Sequence, residues 1–256
     1  GEVYVNDAFG ASHRNHASIV SLPKFLPSFI GLLFEEEIKN LEPIIKNPER
    51  PLVIIVGGKK VDTKVPIIGR LLNLSDHLLI GGKIANTILA GKGYAIGKFL
   101  IDPKIRQIID EIELTNPKIH LPVDGVVSLK EIDQDYVHIA AVGRIRREEE
   151  CFDIGPETTN IFLSIIKEAK TIVWNGPLGL TERKEFTKGS LKVAEAITRS
   201  GARSIIGGGD TIKFANKHRL LERFNFVSTG GGAMLDFLAY GSLPGIEALN
   251  KYAKEK

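Results

Sequence analysis

From Pro51 onward the chain alternates short β-rich runs with longer stretches of helical period. "LVIIV", "HLLI", "IHLPVDGVV", "TIVW", "SIIGG" and "FNFVSTGG" read as strands. Between them, "PKIRQIIDEIEL", "ETTNIFLSIIKEAK" and "TKGSLKVAEAITRS" repeat apolar residues at helical spacing. Upstream, "PSFIGLLFEEEIKNLEPIIKN" carries Phe29, Leu32, Leu33, Leu41 and Ile45 near helical spacing, with Pro27 and Ser28 as start signals, and predicts a long helix over 28–46. Before it, "VYVNDAF" alternates weakly and "GASHRNHAS" has loop composition. Strand and helix in alternation predict an α/β fold, a Rossmann-like three-layer sandwich whose mostly parallel sheet has about six strands. In such sheets ligands bind beyond the carboxyl ends of the strands.

Four apolar runs end there in glycine clusters: "LVIIVGGKK", "LLIGGKIA", "RSIIGGGDT" and "VSTGGGA". In the first, Lys60 and Lys64 are four residues apart, so a helix starting after the glycines would put two ammoniums on one face near the positive end of its dipole. An anion held by free glycine N–H groups would offset that cost; lysines pointing into water would also relieve it. Asp210, after "GGG", is either an N-cap or a carboxylate beside a phosphate turn, suited to a hard cation. "STGGGA" is either a close strand–helix contact or a set of amides around an oxyanion.

Composition narrows the partners. The 256 residues are 43% hydrophobic and 25% charged with a net charge of +3, too balanced for a strong global field toward nucleic acid or an anionic membrane. One cysteine excludes an internal disulfide, and the absence of a long apolar stretch argues against a membrane span, so cytoplasm is the expected compartment. The chain lacks an initiator Met and a signal-peptide pattern, and reads as a piece of a longer protein. No Walker-type P-loop occurs, and "GKGYAIG" misses G-x-G-x-x-G by one residue. "RIRREEE" reads as a solvated charged face, Cys151 as a packed thiol, and His13, Arg14 and His16 as loop surface or an anion contact.

Taken together, "YVNDAFGASHRNHAS", "VGGKKVDTK", "LIGGKIANTIL", "FDIGPET", "VWNGPLGLTE", "IIGGGDT", "VSTGGGA" and "LPGIEAL" follow in an order and spacing that resembles phosphoglycerate kinase over essentially the whole chain. The resemblance implies reversible phosphoryl transfer between ATP and 3-phosphoglycerate, giving ADP and 1,3-bisphosphoglycerate in glycolysis, with Mg²⁺ and ATP/ADP as cofactors. It assigns Lys60 and Lys64 to nucleotide phosphate and the phosphoryl in transfer, and Gly57, Gly58 and Gly82 to nucleotide-site turns. Asn175 and Pro177 would line that site, Glu182 would take the ribose hydroxyls, and Gly208, Gly209, Asp210 and Thr211 would form the phosphate and Mg²⁺ turn, Asp210 holding the metal. Gly230, Gly231 and Gly232 would face the transferring phosphoryl, with Lys60 as catalytic partners, and His13 and Arg14 would belong to the 3-phosphoglycerate site.

The family resemblance also implies two lobes joined by a long helix. It divides this chain into a remnant of the first lobe (1–27), an interdomain helix (28–47), a nucleotide-binding domain (48–233) and a C-terminal return segment (234–256). The missing N-terminal lobe would be the intramolecular partner, and the parent enzyme a monomer. Lys83 stands where the family usually has a third glycine beside the adenine, Thr63 sits at a position that varies between Asp and Thr, and Lys59 replaces a small residue. Most of the basic residues that cradle the phosphoglycerate in the family belong to the missing lobe, so a poorly active half-enzyme is expected. The alternatives are a non-catalytic nucleotide-binding module and, more distantly, a dehydrogenase domain.

Overall fold

The computed structural model describes residues 1–253 except Lys98, Lys130 and Asp133. In chain order its strands are β1 (Tyr4–Asn6), β2 (Ser28–Ile30), β3 (Leu52–Val56), β4 (His77–Ile80), β5 (Ile119–His120), β6 (Asp124–Leu129), β7 (His138–Ala141), β8 (Glu149–Ile154), β9 (Thr171–Asn175), β10 (Arg203–Gly207) and β11 (Phe226–Ser228). The helices are α1 (Ala17–Val20), α2 (Leu32–Lys46), α3 (Val61–Lys64), α4 (Ile68–Leu74), α5 (Gly82–Gly91), α6 (Pro103–Glu111), α7 (Pro156–Glu168), α8 (Lys188–Arg199), α9 (Gly209–Lys217), α10 (Gly231–Tyr240) and α11 (Pro244–Ala253).

Six strands form one all-parallel sheet in the order β11-β10-β9-β3-β4-β5. From β3 the chain winds outward through β4 to β5, then returns to the other side of β3 and winds outward again through β9, β10 and β11. The β3/β9 boundary is thus the topological switch point, where a crevice opens beyond the carboxyl ends of both strands. Burial on both faces explains why these strands read as continuous apolar runs. In β3, Leu52, Ile54 and Val56 enter the core beneath α2, α4 and α10, while Val53 and Ile55 enter the opposite core with Phe162 of α7 and Val193 of α8.

Helix α7 begins at a glycine, Gly155, and its first turn is satisfied from β6. Asp124 accepts from the backbone N–H groups of Glu157 and Thr158 at 3.0 and 2.8 Å and from the Thr158 hydroxyl at 2.6 Å. Asp7 does the same for α2, accepting from Phe34 N at 2.9 Å. This ties the start of the chain to the helix, and Phe9 adds edge contacts to Phe34 and Phe237.

Four sequence expectations need correction. The long helix starts at Leu32 rather than Ser28, because residues 28–30 pair in parallel with β1. "IHLPVDGVV" is two strands in different sheets: β5 ends the parallel sheet, and β6 is the middle of an antiparallel sheet in the order β7-β6-β8. The "RIRREEE" run is not wholly solvated, since Glu149 is buried and accepts from Arg146 N at 2.8 Å and from the Tyr136 hydroxyl at 2.9 Å. Burial pushes the Glu149 carboxyl up, but those two hydrogen bonds, together with His138 and Arg146 nearby, hold the group below its ordinary range. Finally, Asp210 does not cap α9. The cap is Gly208, and Asp210 lies in the first helical turn.

Candidate functional site

The glycine clusters meet at the switch point. Part of their bare backbone faces other backbone: the Gly58 N–H donates to the Pro177 carbonyl at 2.7 Å, and Gly57 N to the Asn175 carbonyl at 2.9 Å. A Cβ on Gly231 would collide with Gly208, which itself holds φ at +93°, a region that L side chains rarely adopt. By contrast, a Cβ on Gly209 would meet nothing within 4 Å, and one on Gly232 would stop 3.5 Å from His13 Nε2. Close approach of the loops shapes the wall, and only some glycines face open space.

That space is a cavity of about 530 Å³ lined by Gly58, Lys60, Lys64, Asn175, Pro177, residues 208–211 and 230–232, and His13 and Arg14. A second cavity, of about 230 Å³, shares the Gly58, Lys59, Pro177 and Asp210 rim and continues past Gly82, Lys83, Phe152, Leu180 and Glu182. Every predicted site residue except Gly57 therefore lines one of two adjoining spaces. Gly57 lies behind the wall, and its carbonyl accepts from Lys64 Nζ at 2.7 Å.

The two lysines differ. Lys60 is the exposed cap residue of α3, a single helical turn, so the two do not share a helix face as the spacing suggested. Lys64 is half-buried, and its ammonium donates to the carbonyls of Gly57 at 2.7 Å and Asn175 at 3.3 Å. Burial, then the nearby charge of Lys60, pulls its pKa down to about 8, with Asp210 opposing. Lys60 adds to the cost of the Lys64 ammonium, a cost that an anion in the cavity would offset.

Two residues assigned to ligand contact are engaged in the wall. Thr211 Oγ1 accepts from Gly176 N at 2.7 Å, and Asn175 Nδ2 donates to the Gly231 carbonyl at 2.9 Å. Both are buried, and they join the turns after β9 and β10 to the start of α10. Asp210 and Glu182 are exposed at the rim. Asp210 reaches both cavities and has no capping role, so its carboxylate suits a hard cation shared with phosphate oxygens. On the opposite wall, Arg14 Nε donates to His13 Nε2 at 3.3 Å, and His13 Nδ1 is buried with no hydrogen-bond partner among the described residues.

The family model for phosphoglycerate kinase matches residues 1–240. The chain belongs to the phosphoglycerate kinase family. It is 40% identical over 260 residues to the phosphoglycerate kinase of Leptospira biflexa serovar Patoc, covering 97% of this chain and 64% of that protein. It is 41% identical to that of Wigglesworthia glossinidia brevipalpis, covering 99% and 64%. Among solved structures, phosphoglycerate kinase from Coxiella burnetii superposes with a TM-score of 0.85 at 37% identity, over 100% of this chain and 66% of the other. The enzyme from Pyrococcus horikoshii OT3 superposes with a TM-score of 0.83 at 31% identity, over 100% and 65%. The chain thus spans about 64% of the length of the curated relatives it matches.

Membership in the phosphoglycerate kinase family does not exhaust the site. Asp236 and Thr229 also line the larger cavity, and sequence reasoning missed both. Asp236 is one helical turn beyond Gly232 in α10, a spacing that was the available signal. Burial raises its carboxyl above the ordinary range, with His13 opposing. Thr229 is fixed from α2: Glu37 Oε1 accepts from its N–H at 2.6 Å and from its hydroxyl at 2.8 Å. A contact spanning 192 residues of sequence left no local pattern. Cys151 is buried, and burial with Asp153 nearby pushes its thiol up to about 12, so it is a packed side chain rather than a nucleophile.

Proposed function

We propose that the chain holds the nucleotide half of a phosphoglycerate kinase site, for reversible phosphoryl transfer between ATP and the carboxylate of 3-phosphoglycerate in glycolysis. The observation that carries the reading is the convergence of Lys60, Lys64 and three glycine-rich turns on one cavity at the switch point of a parallel sheet. ATP or ADP would place its phosphates against the amides of 208–209 and the ammonium of Lys64. Its nucleoside would pass the Gly58, Pro177 and Asp210 rim into the smaller cavity, where Glu182 meets the ribose. Mg²⁺ would be held by Asp210 together with phosphate oxygens and would neutralise charge on them. Lys60 and the amides of 230–232 would stabilise the equatorial oxygens of the phosphoryl in transfer, a reaction governed by positioning and charge. Cytoplasm is the compartment such chemistry implies.

The acceptor would enter from the side of His13 and Arg14. One arginine cannot fix both the phosphate and the carboxylate of 3-phosphoglycerate, so the remaining contacts would come from the lobe that the relatives carry beyond the matched region. Exposed Phe25, Phe29, Leu32 and Leu33 would pack on that lobe. On this division residues 1–27 would be part of the acceptor lobe, 28–47 with α2 the connector, 48–233 the nucleotide domain and 234–256 the return segment. The span of 64% of the relatives also favours a second reading, a module that binds nucleotide without turnover. Coupled turnover separates them. The chain alone should phosphorylate 3-phosphoglycerate about a thousandfold more slowly than an intact relative, since lost positioning can account for several kcal/mol of barrier. Addition of the complementary lobe should restore part of the rate. Near-normal turnover by the chain alone would show that the acceptor site is misplaced in this reading.

A further inference from the structure

Beyond the phosphate cavity, the route open to the rest of a nucleotide passes Lys83. This lysine lies in the first turn of α5 on the wall of the 230 Å³ cavity, and it also borders a neighbouring cavity of about 500 Å³. Its side chain is exposed, and among the described residues it forms no ion pair. The smaller cavity offers what a nucleoside needs: Phe152 and Leu180 for the faces of a base and the Glu182 carboxylate for ribose hydroxyls. Lys83 therefore puts an exposed ammonium-bearing side chain on the wall of the space that the base would occupy.

An ammonium only donates hydrogen bonds, so it distinguishes bases by the acceptors they present. Guanine and hypoxanthine offer adjacent acceptors, O6 and N7. Adenine replaces O6 with an amino donor, leaving N7 alone beside a group that opposes the cation. We infer that Lys83 shifts this site toward 6-oxopurine nucleotides, guanosine and inosine di- and triphosphates, with adenosine nucleotides remaining as weaker ligands. The inference rests on the nucleotide reading proposed above and names the base within that same site. Lys83 acts here as a specificity residue, with no part in the phosphoryl transfer itself.

Calorimetric titration of the purified chain with Mg²⁺-ADP, Mg²⁺-GDP and Mg²⁺-IDP tests it, alongside Lys83→Ala and Lys83→Arg. Both substitutions are at an exposed helix position and place good helix formers there, so the fold should persist, as far-UV circular dichroism will check. In the wild-type chain GDP and IDP should bind more tightly than ADP. Lys83→Ala should move the ADP-to-GDP affinity ratio about tenfold toward ADP, the scale of one charged hydrogen bond weakened by solvent. Lys83→Arg should keep most of the preference. IDP isolates O6 from the 2-amino group of guanine, so IDP should follow GDP. A ratio unchanged within about twofold by Lys83→Ala, or IDP behaving as ADP does, overturns the inference while leaving the nucleotide reading in place. Failure of the folded wild-type chain to bind any of the three overturns both.

Discussion

The carboxyl edge of the parallel sheet and the first 33 residues treat apolar surface in opposite ways. Around the switch point every residue of β3 and β9 is buried, and the loops above them turn polar backbone toward the cavity. In the amino-terminal segment, Leu32 is 82% exposed, Phe25 76% and Phe29 59%, and Val3, Val5 and Leu33 are also more than half exposed. Phe9 and Ile19 of this segment are buried against the rest of the chain, but the same residue types at 3, 5, 25, 29, 32 and 33 stand more than half exposed among the described residues. The cavity wall is supported on both sides by its own cores, whereas the exposed apolar side chains of the amino-terminal segment are suited to a further apolar surface.

Substitutions on each side should separate the two regions by the largest margin. Ile55, fully buried in β3, should cost about 2 to 5 kcal/mol when changed to Ala, because the site cannot collapse around the lost atoms. Leu32→Ser, at the exposed start of α2, should change stability by no more than about 0.5 kcal/mol in urea unfolding. The wild-type chain should self-associate through this face at high concentration, and Phe29→Ser combined with Leu32→Ser should reduce it in light scattering. A strict monomer in the wild type, or a large stability loss in Leu32→Ser, would erase the contrast.

A smaller effect sharpens the comparison on the nucleotide side. Lys64 has a folded pKa of about 8 against an ordinary value of 10.5. Between those values the unfolded chain binds more protons, so the contribution of this group to stability rises with pH across the window. Binding has the opposite sign: a phosphate needs the ammonium, and affinity for Mg²⁺-ADP should fall as pH rises above about 8, with proton uptake on binding. Titrations in buffers of different ionisation enthalpy measure that uptake. Affinity independent of pH from 7 to 9 would place Lys64 outside the phosphate contacts.

The main sheet was legible in the sequence because burial on both faces leaves uninterrupted apolar runs, and the lining of the cavity because glycine clusters mark the ends of those runs. What the sequence hid depends on contacts distant along the chain. The Ser28–Ile30 strand exists only by pairing with β1, and its apolar residues also satisfy a helical period. The antiparallel sheet was masked by Leu121, Pro122 and Val123, which continue the apolar pattern while the chain leaves one sheet for another. Of the two readings left open for Asp210, the N-cap fails because Gly208 takes the capping position with a positive φ that is invisible in composition. Asn175 and Thr211 read as ligand contacts, yet their polar atoms bind the loops to each other.

The central claim is that the nucleotide site is self-contained in this chain. Its most direct test is calorimetry of Mg²⁺-ADP at neutral pH on the wild-type chain and on Lys64→Ala. One site per chain should be occupied in the wild type, and Lys64→Ala should weaken it about tenfold, equivalent to about 1.4 kcal/mol. Absence of both heat and thermal shift at millimolar Mg²⁺-ADP, in a chain whose circular dichroism shows it folded, would contradict the claim.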